Sequence, residues 1–218
     1  MTITTHPAAP FRLQSPHAQP RTSGVHLSGI LRRMALAAGK LPAKYANSGL
    51  AELMRTTPYT HAGFCAPLCK AAFGMAWEDW IAPHVSQWAK GMIHQPGELI
   101  RDDIRGTPDG ISFDDHGHPI VHEFKFTYKS ASRNIEEEWL WLAQICGYCA
   151  IVTTYFGEPC TQAYLHVAYA MGDYTRSETS GPCYRIYAIT LSLEEIERAW
   201  QEIVANKNET EPEDWNND

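Results

Sequence analysis

Residues 101–126 read RDDIRGTPDGISFDDHGHPIVHEFKF, and the reading of this stretch decides the fold. In its second half Val121, Glu123 and Lys125 alternate with His122, Phe124 and Phe126, which is the period of a β-strand. DDHGHP, punctuated by Gly117 and Pro119, predicts a hairpin turn between a strand over Asp109–Phe113 and one over Ile120–Tyr128. Glu123 and Lys125 therefore share a face, and a neighbouring turn adds the carboxylate of Asp109. Such a set suits a hard divalent cation and a phosphate substrate. Two carboxylates about 4 Å apart repel by roughly 4 kcal/mol at an effective dielectric near 20, and a bound Mg²⁺ or Mn²⁺ reverses that sign. Glu123 and Lys125 also read as a plain ion pair on a solvated strand, worth under about 1 kcal/mol.

Pro108-Asp109 followed by Glu123-Phe124-Lys125 resembles the PD-(D/E)xK nuclease superfamily. Upstream, FGMAWED places Glu78 on a predicted helix; downstream, AQICGYC places Gln144 and Tyr148 one helical turn apart. A helix glutamate, then D…ExK, then QxxxY looks like the RecB-like and phage-type exonuclease branch, over about residues 70–150. The resemblance implies an α/β (α+β) fold with a restriction-endonuclease-like core, a mixed central sheet flanked by helices. It implies Glu78, Asp109, Glu123, Lys125, Gln144 and Tyr148 as catalytic residues. Glu78, Asp109, Glu123 and the backbone carbonyl of Phe124 are the implied ligands of Mg²⁺ or Mn²⁺. Lys125 either orients the attacking water or holds the scissile phosphate.

The activity implied is that of a metal-dependent deoxyribonuclease. QxxxY favours an exonuclease, in DNA recombination, repair or phage DNA processing. Two alternatives stay open: a structure- or sequence-specific endonuclease on the same fold, and a DNA-binding or interaction module that kept the fold and lost turnover. DNA is the expected partner, with a homo-oligomer or a recombination partner protein beside it. Some RecB-like nucleases hold an iron–sulfur cluster, but Cys146 and Cys149 fall inside the QxxxY helix instead of after the last strands, so Cys65, Cys146, Cys149 and Cys160 are not expected to hold one.

At 218 residues the chain suits one domain with a sizeable core, predicted over 25–205, between a flexible arm at 1–24 and an acidic tail at 206–218. A net charge of −7 argues against a general nucleic-acid coat protein but leaves room for a local basic patch. Arg101, Arg105, Lys129 and Arg133 bracket the motif as candidate phosphate contacts, and Arg32 and Arg33 lie on a basic helix predicted over GILRRMALAAGK. All six also read as ordinary surface charge. Asp103 is a reserve ligand. His61, Cys65 and Cys69 have a zinc-like spacing without a fourth ligand, and buried reduced thiols are the plainer reading of the six cysteines. No apolar run predicts a membrane span and no secretion signal is legible, so a cytoplasmic location is expected.

Elsewhere, Ser28 reads as a helix cap and 43–57 as a short helix. A longer helix over Phe73–Lys90 carries Trp77, Trp80, Ile81, His84 and Trp88 as its apolar stripe, with an interruption expected at Pro83. Glu98–Ile104 reads as one strand, and Asn134 or Ser132 caps the helix that carries Gln144. Gln162–Met171 and Tyr184–Leu191 read as strands, and Ser192 caps a last amphipathic helix.

Overall fold

The computed structural model describes residues 23–41, 66–89, 91–174 and 181–207, with backbone only over 66–72. Nearly all of the expected arm and tail, the helix over 43–57, and His61 and Cys65 fall outside these residues, as does the side chain of Cys69. Two sheets and four α-helices form the described chain. A central five-stranded sheet has the order β2 (Ile93–His94), β5 (Gly110–Phe113), β6 (Pro119–Thr127), β7 (Gln162–Tyr169) and β8 (Cys183–Thr190). Strands β6 and β7 run parallel from Ile120↔Gln162 to Thr127↔Tyr169, and the other pairs are antiparallel. A small sheet joins β1 (Val25–His26), β4 (Ile104–Gly106) and β3 (Leu99–Arg101). The expected mixed sheet flanked by helices is what forms.

The parallel pairing follows from the crossover between β6 and β7. Antiparallel neighbours can be joined by a tight turn, as β5 and β6 are, whereas parallel neighbours need a long connection, here α3 (Trp139–Phe156). Helix α3 is apolar all round, and Ile145, Cys149, Ala150, Ile151 and Val152 on it are fully buried. It is long and apolar enough for a membrane span by length and composition only, a test that core helices also meet. In this fold it is a core helix, packed against β6, α1 (Leu27–Ala37) and α4 (Leu193–Ala205). Gly147 allows that packing, because a Cβ there would meet Leu27 Cδ2 at 2.7 Å.

The opposite face of the sheet is covered by α2 (Ala66–Trp88). Its buried stripe is Ile81, Ala82, Val85 and Ala89 packed on Phe124, while Trp80 and Trp88 stay exposed, contrary to the stripe expected from spacing. The helix also runs through Pro83. Burial of Ile81 and Val85 on either side of that residue offsets a loss of about 3 kcal/mol for an interior proline.

Three further expectations are corrected. The strand expected over Glu98–Ile104 is a hairpin, β3 and β4, turned by Asp102 and Asp103 at φ 50° and 59°. Short polar side chains tolerate this left-handed region better than most, which gives DD a turn meaning here. Helix α1 starts at Leu27 with His26 as N-cap, placing Ser28 inside its first turn. Asn134 caps only a short 3₁₀ turn, Ile135–Glu137, and Glu138 begins α3. Ser192 caps α4 as expected, through a capping box with Glu195.

Candidate functional site

Strand β5 ends its pairing with β6 at Gly110↔His122, so from Glu123 onward β6 has an edge that β5 does not cover. Asp109 stands at that point. Its Oδ2 accepts a hydrogen bond from the Phe124 N–H at 2.7 Å, which fixes the carboxylate against the open edge. A residue in an extended strand directs its N–H and C=O to the same edge, so the Phe124 carbonyl lies on the Asp109 side as well.

Glu123 and Lys125 share the α3 face of β6. The Lys125 ammonium donates to Glu123 Oε1 and, at 3.0 Å, to Gln144 Oε1 on α3. Gln144 Nε2 in turn donates to the Tyr148 hydroxyl at 2.9 Å. Glu123 is 1% exposed, and its second oxygen, Oε2, is buried without a hydrogen-bond partner among the described residues. Glu78 arrives from α2, on the other side of the sheet. Its Oε1 accepts from Gln95 Nε2 at 3.0 Å and lies 3.3 Å from His94 Nε2. The Gln95 N–H donates to the Asp109 carbonyl at 2.9 Å, so the turn after β2 ties Glu78 to the start of β5.

Electrostatics joins these groups into one cluster. Burial, then the charges of Glu123 and Glu78, push the Asp109 carboxyl well above the ordinary carboxylate range. Burial also raises Glu123, against the pull of the adjacent Lys125 ammonium. Burial depresses Lys125, but the carboxylates of Glu123, Asp109 and Glu78 together outweigh it and raise the ammonium. With all three carboxyls ionised, their charge exceeds what one lysine neutralises, which, together with burial, is why Asp109 and Glu123 hold their protons.

All six residues implied as catalytic, and the Phe124 backbone, thus meet at one sheet edge. Among the described residues no three His, Cys, Asp or Glu side chains form a ready-made metal cage. One Glu123 oxygen is held by Lys125, one Glu78 oxygen by Gln95 and one Asp109 oxygen by a backbone amide. The donor chemistry still fits a hard cation. The three acids and the Phe124 carbonyl offer oxygen, and an orphaned carboxylate oxygen is buried among them.

The six basic candidates do not converge in the same way. Lys129 pairs with Glu138 and lies over the Trp141 ring, and Arg133 pairs with Glu137 and Glu138. With Lys40, Trp139 and Trp141 they line a cavity of about 510 Å³ beside the start of α3. Arg101 binds Glu197 at 2.7 Å and lies over Trp200, Arg33 reaches the Lys207 carbonyl at 3.5 Å, and Arg32 is exposed on α1. A Cβ on Gly24 would sit 2.7 Å from Arg105 Nε, so Arg105 packs against that glycine. Asp103, the reserve ligand, pairs with Lys207. Cys146, Cys149, Cys160 and Cys183 are free thiols.

One constellation has no counterpart in the sequence reading. On the α2 face, Ser112 Oγ, His122, His166 and the Tyr184 hydroxyl form a chain of hydrogen bonds of 2.8, 3.0 and 2.6 Å. Both imidazoles are fully buried. Burial pushes His122 down to about 4, and burial with the neighbouring His122 pushes His166 down to about 3. The available signal was weak: each histidine alternates with apolar residues on a strand.

No family model matches the chain, and no curated protein does. Solved structures similar to it include a phage-related exonuclease from Haemophilus somnus 129PT (15% identity, 85% of this chain and 92% of that one, TM-score 0.45). An alkaline exonuclease from Laribacter hongkongensis is 14% identical over 84% of this chain and 85% of its own, with a TM-score of 0.45. The protein SSO0001 is 12% identical over 90% and 82%, with a TM-score of 0.46. Likeness at this level carries no weight in assigning an activity, which rests on the chain's own residues.

Proposed function

We propose that this chain is a metal-dependent deoxyribonuclease that hydrolyses phosphodiester bonds, and specifically an exonuclease. One arrangement carries the reading: Asp109, Glu123 and Lys125 converge at the open edge of β6, where Glu78 adds its charge and a buried Glu123 oxygen lacks a partner. The order of these residues along the chain resembles the PD-(D/E)xK nucleases, and the Gln144–Tyr148 pair beside Lys125 supports the exonuclease branch.

Asp109, Glu123, Glu78 and the Phe124 carbonyl would hold Mg²⁺ or Mn²⁺. When bound, the ion lowers the pKa of its water and neutralises charge on the phosphoryl oxygens. The remaining work falls to the chain itself. The Phe124 amide locks Asp109 in place. Lys125, fixed between Glu123 and Gln144, presents an ammonium to the scissile phosphate, where developing negative charge is stabilised. Tyr148 and Gln144 keep that ammonium from turning away. Lys129 and Arg133 are proposed backbone contacts along the substrate path.

The test uses end-labelled linear DNA and closed circular DNA, each with Mg²⁺, with Mn²⁺ and with EDTA. Loss of the linear form alone, abolished by EDTA, is the expected result. Nicking of circles would assign an endonuclease instead. Binding without any metal-dependent cleavage of either form would overturn the enzyme reading. Cleavage retained in both Glu123→Ala and Lys125→Ala would refute the site.

A further inference from the structure

We propose that Gln95 is a positioning residue of the carboxylate cluster: it holds Glu78 beside Asp109 and adds its amide oxygen to those that a divalent cation meets. The inference rests on the metal-dependent reading above and extends it to a residue that neither the sequence motif nor the resemblance includes. Three observations support it. First, Gln95 bridges two of the acids by itself, through its backbone N–H to the Asp109 carbonyl at 2.9 Å and its Nε2 to Glu78 Oε1 at 3.0 Å.

Second, Gln95 Oε1 is buried and has no hydrogen-bond partner among the described residues. Glu123 Oε2 is in the same condition. Both atoms can only accept a hydrogen bond. A buried polar atom left unmatched is costly, and a hard cation satisfies oxygens that no donor reaches. Third, the backbone of Gln95 sits at φ 49°, in the left-handed region that favours glycine. The position carries a long amide side chain against the preference of its backbone. Strand β2, paired through His94↔Gly110, delivers this residue to the start of β5.

That backbone permits a test that separates folding from function. Gln95→Gly removes the amide and also relieves the strained backbone. Full-length wild type, Gln95→Gly, Gln95→Glu and Asp109→Asn are stripped with EDTA and dialysed. Mn²⁺ binding is then measured by the electron paramagnetic resonance of the free ion, and thermal melting is followed in parallel. We expect Gln95→Gly to melt at or above the wild-type temperature while its Mn²⁺ affinity falls by roughly 10- to 100-fold, as for removal of other groups that orient metal ligands. Gln95→Glu keeps an oxygen but sets a second carboxylate against Glu78. It should melt lower without metal and bind Mn²⁺ at least as tightly as wild type.

An unchanged Mn²⁺ affinity in Gln95→Gly, beside a clear loss in Asp109→Asn, overturns the inference and leaves the nuclease reading intact. A lower melting temperature in Gln95→Gly with Mn²⁺ affinity retained marks a purely structural role and overturns it as well. Failure of wild type to bind Mn²⁺ at all overturns both.

Discussion

The buried histidine chain makes acid a specific threat to this fold. A neutral imidazole has one donor and one acceptor, so Ser112, His122, His166 and Tyr184 can hydrogen-bond only in a consistent direction. A proton added to one ring can be met by turning an end hydroxyl from donor to acceptor, but it strands a charge in a dry site, and protons on both rings set N–H against N–H between them. The unfolded chain takes up a proton on each ring near the ordinary value of 6.5, whereas the folded chain resists until about 4 for His122 and about 3 for His166. Between those limits the unfolded state binds more protons, so stability is fully present above pH 6.5 and is lost as pH falls. Going from pH 7 to pH 5 costs about 2 kcal/mol per ring, or about 4 kcal/mol together. That is a large share of the roughly 5–15 kcal/mol that holds a domain folded, and it lowers Tm by on the order of 10 °C.

Asp109 and Glu123 work in the other direction. Their folded pKa values are raised, so they favour the folded state below the ordinary carboxylate range, and that contribution is lost as pH rises through their folded values. The measurement is therefore urea unfolding in EDTA at pH 5, 6 and 7, on wild type and on Asp109→Asn. The acid loss should be steeper in the variant. Ring ¹⁵N chemical shifts report the two imidazoles directly, and both should stay neutral at pH 5. If either titrates near 6.5, or if Asp109→Asn is as stable at pH 5 as at pH 7, the hydrogen-bonded chain does not hold its protons as described.

Asp109→Asn keeps an acceptor for the Phe124 N–H and removes a carboxyl that Glu123 and Glu78 repel, so metal-free protein at pH 7 should melt no lower than wild type while cleavage is abolished. Calorimetry and the linear-DNA assay check the two halves. Lys125→Met leaves Glu123 buried without its cation, a loss of about 3–5 kcal/mol if the carboxylate stays charged, while Lys125→Arg restores pairing without restoring full cleavage, because a planar fork does not reproduce a point ammonium. Gly147→Ala should cost roughly 1–3 kcal/mol in urea unfolding, since the new methyl group meets buried Leu27 at 2.7 Å and pushes α1 off α3. Ser192→Ala, which removes the α4 capping box, should cost about 1 kcal/mol in the same assay.

Local periodicity made much of this legible from the residues alone. The alternation around Glu123, the HGHP turn and the Ser192 cap each depend on neighbours within a few positions, and each formed where expected. The chain order of Glu78, Asp109, Glu123, Lys125, Gln144 and Tyr148 likewise named a set of side chains that the fold brings together. Where local preference was ambiguous, the reading failed. Asp102-Asp103 turned a presumed strand into a hairpin, and spacing alone could not tell which tryptophans of α2 face Phe124.

Only tertiary structure decided the rest. That Gln95 reaches both Glu78 and Asp109, that Lys129 and Arg133 are held by Glu138, and that His122 meets His166 across parallel strands all depend on pairings between residues far apart in the chain. Such contacts follow from sheet register and helix docking, which burial of the whole core sets. A period of two places a side chain on a face; it says nothing about what another strand, dozens of residues away, will put beside it.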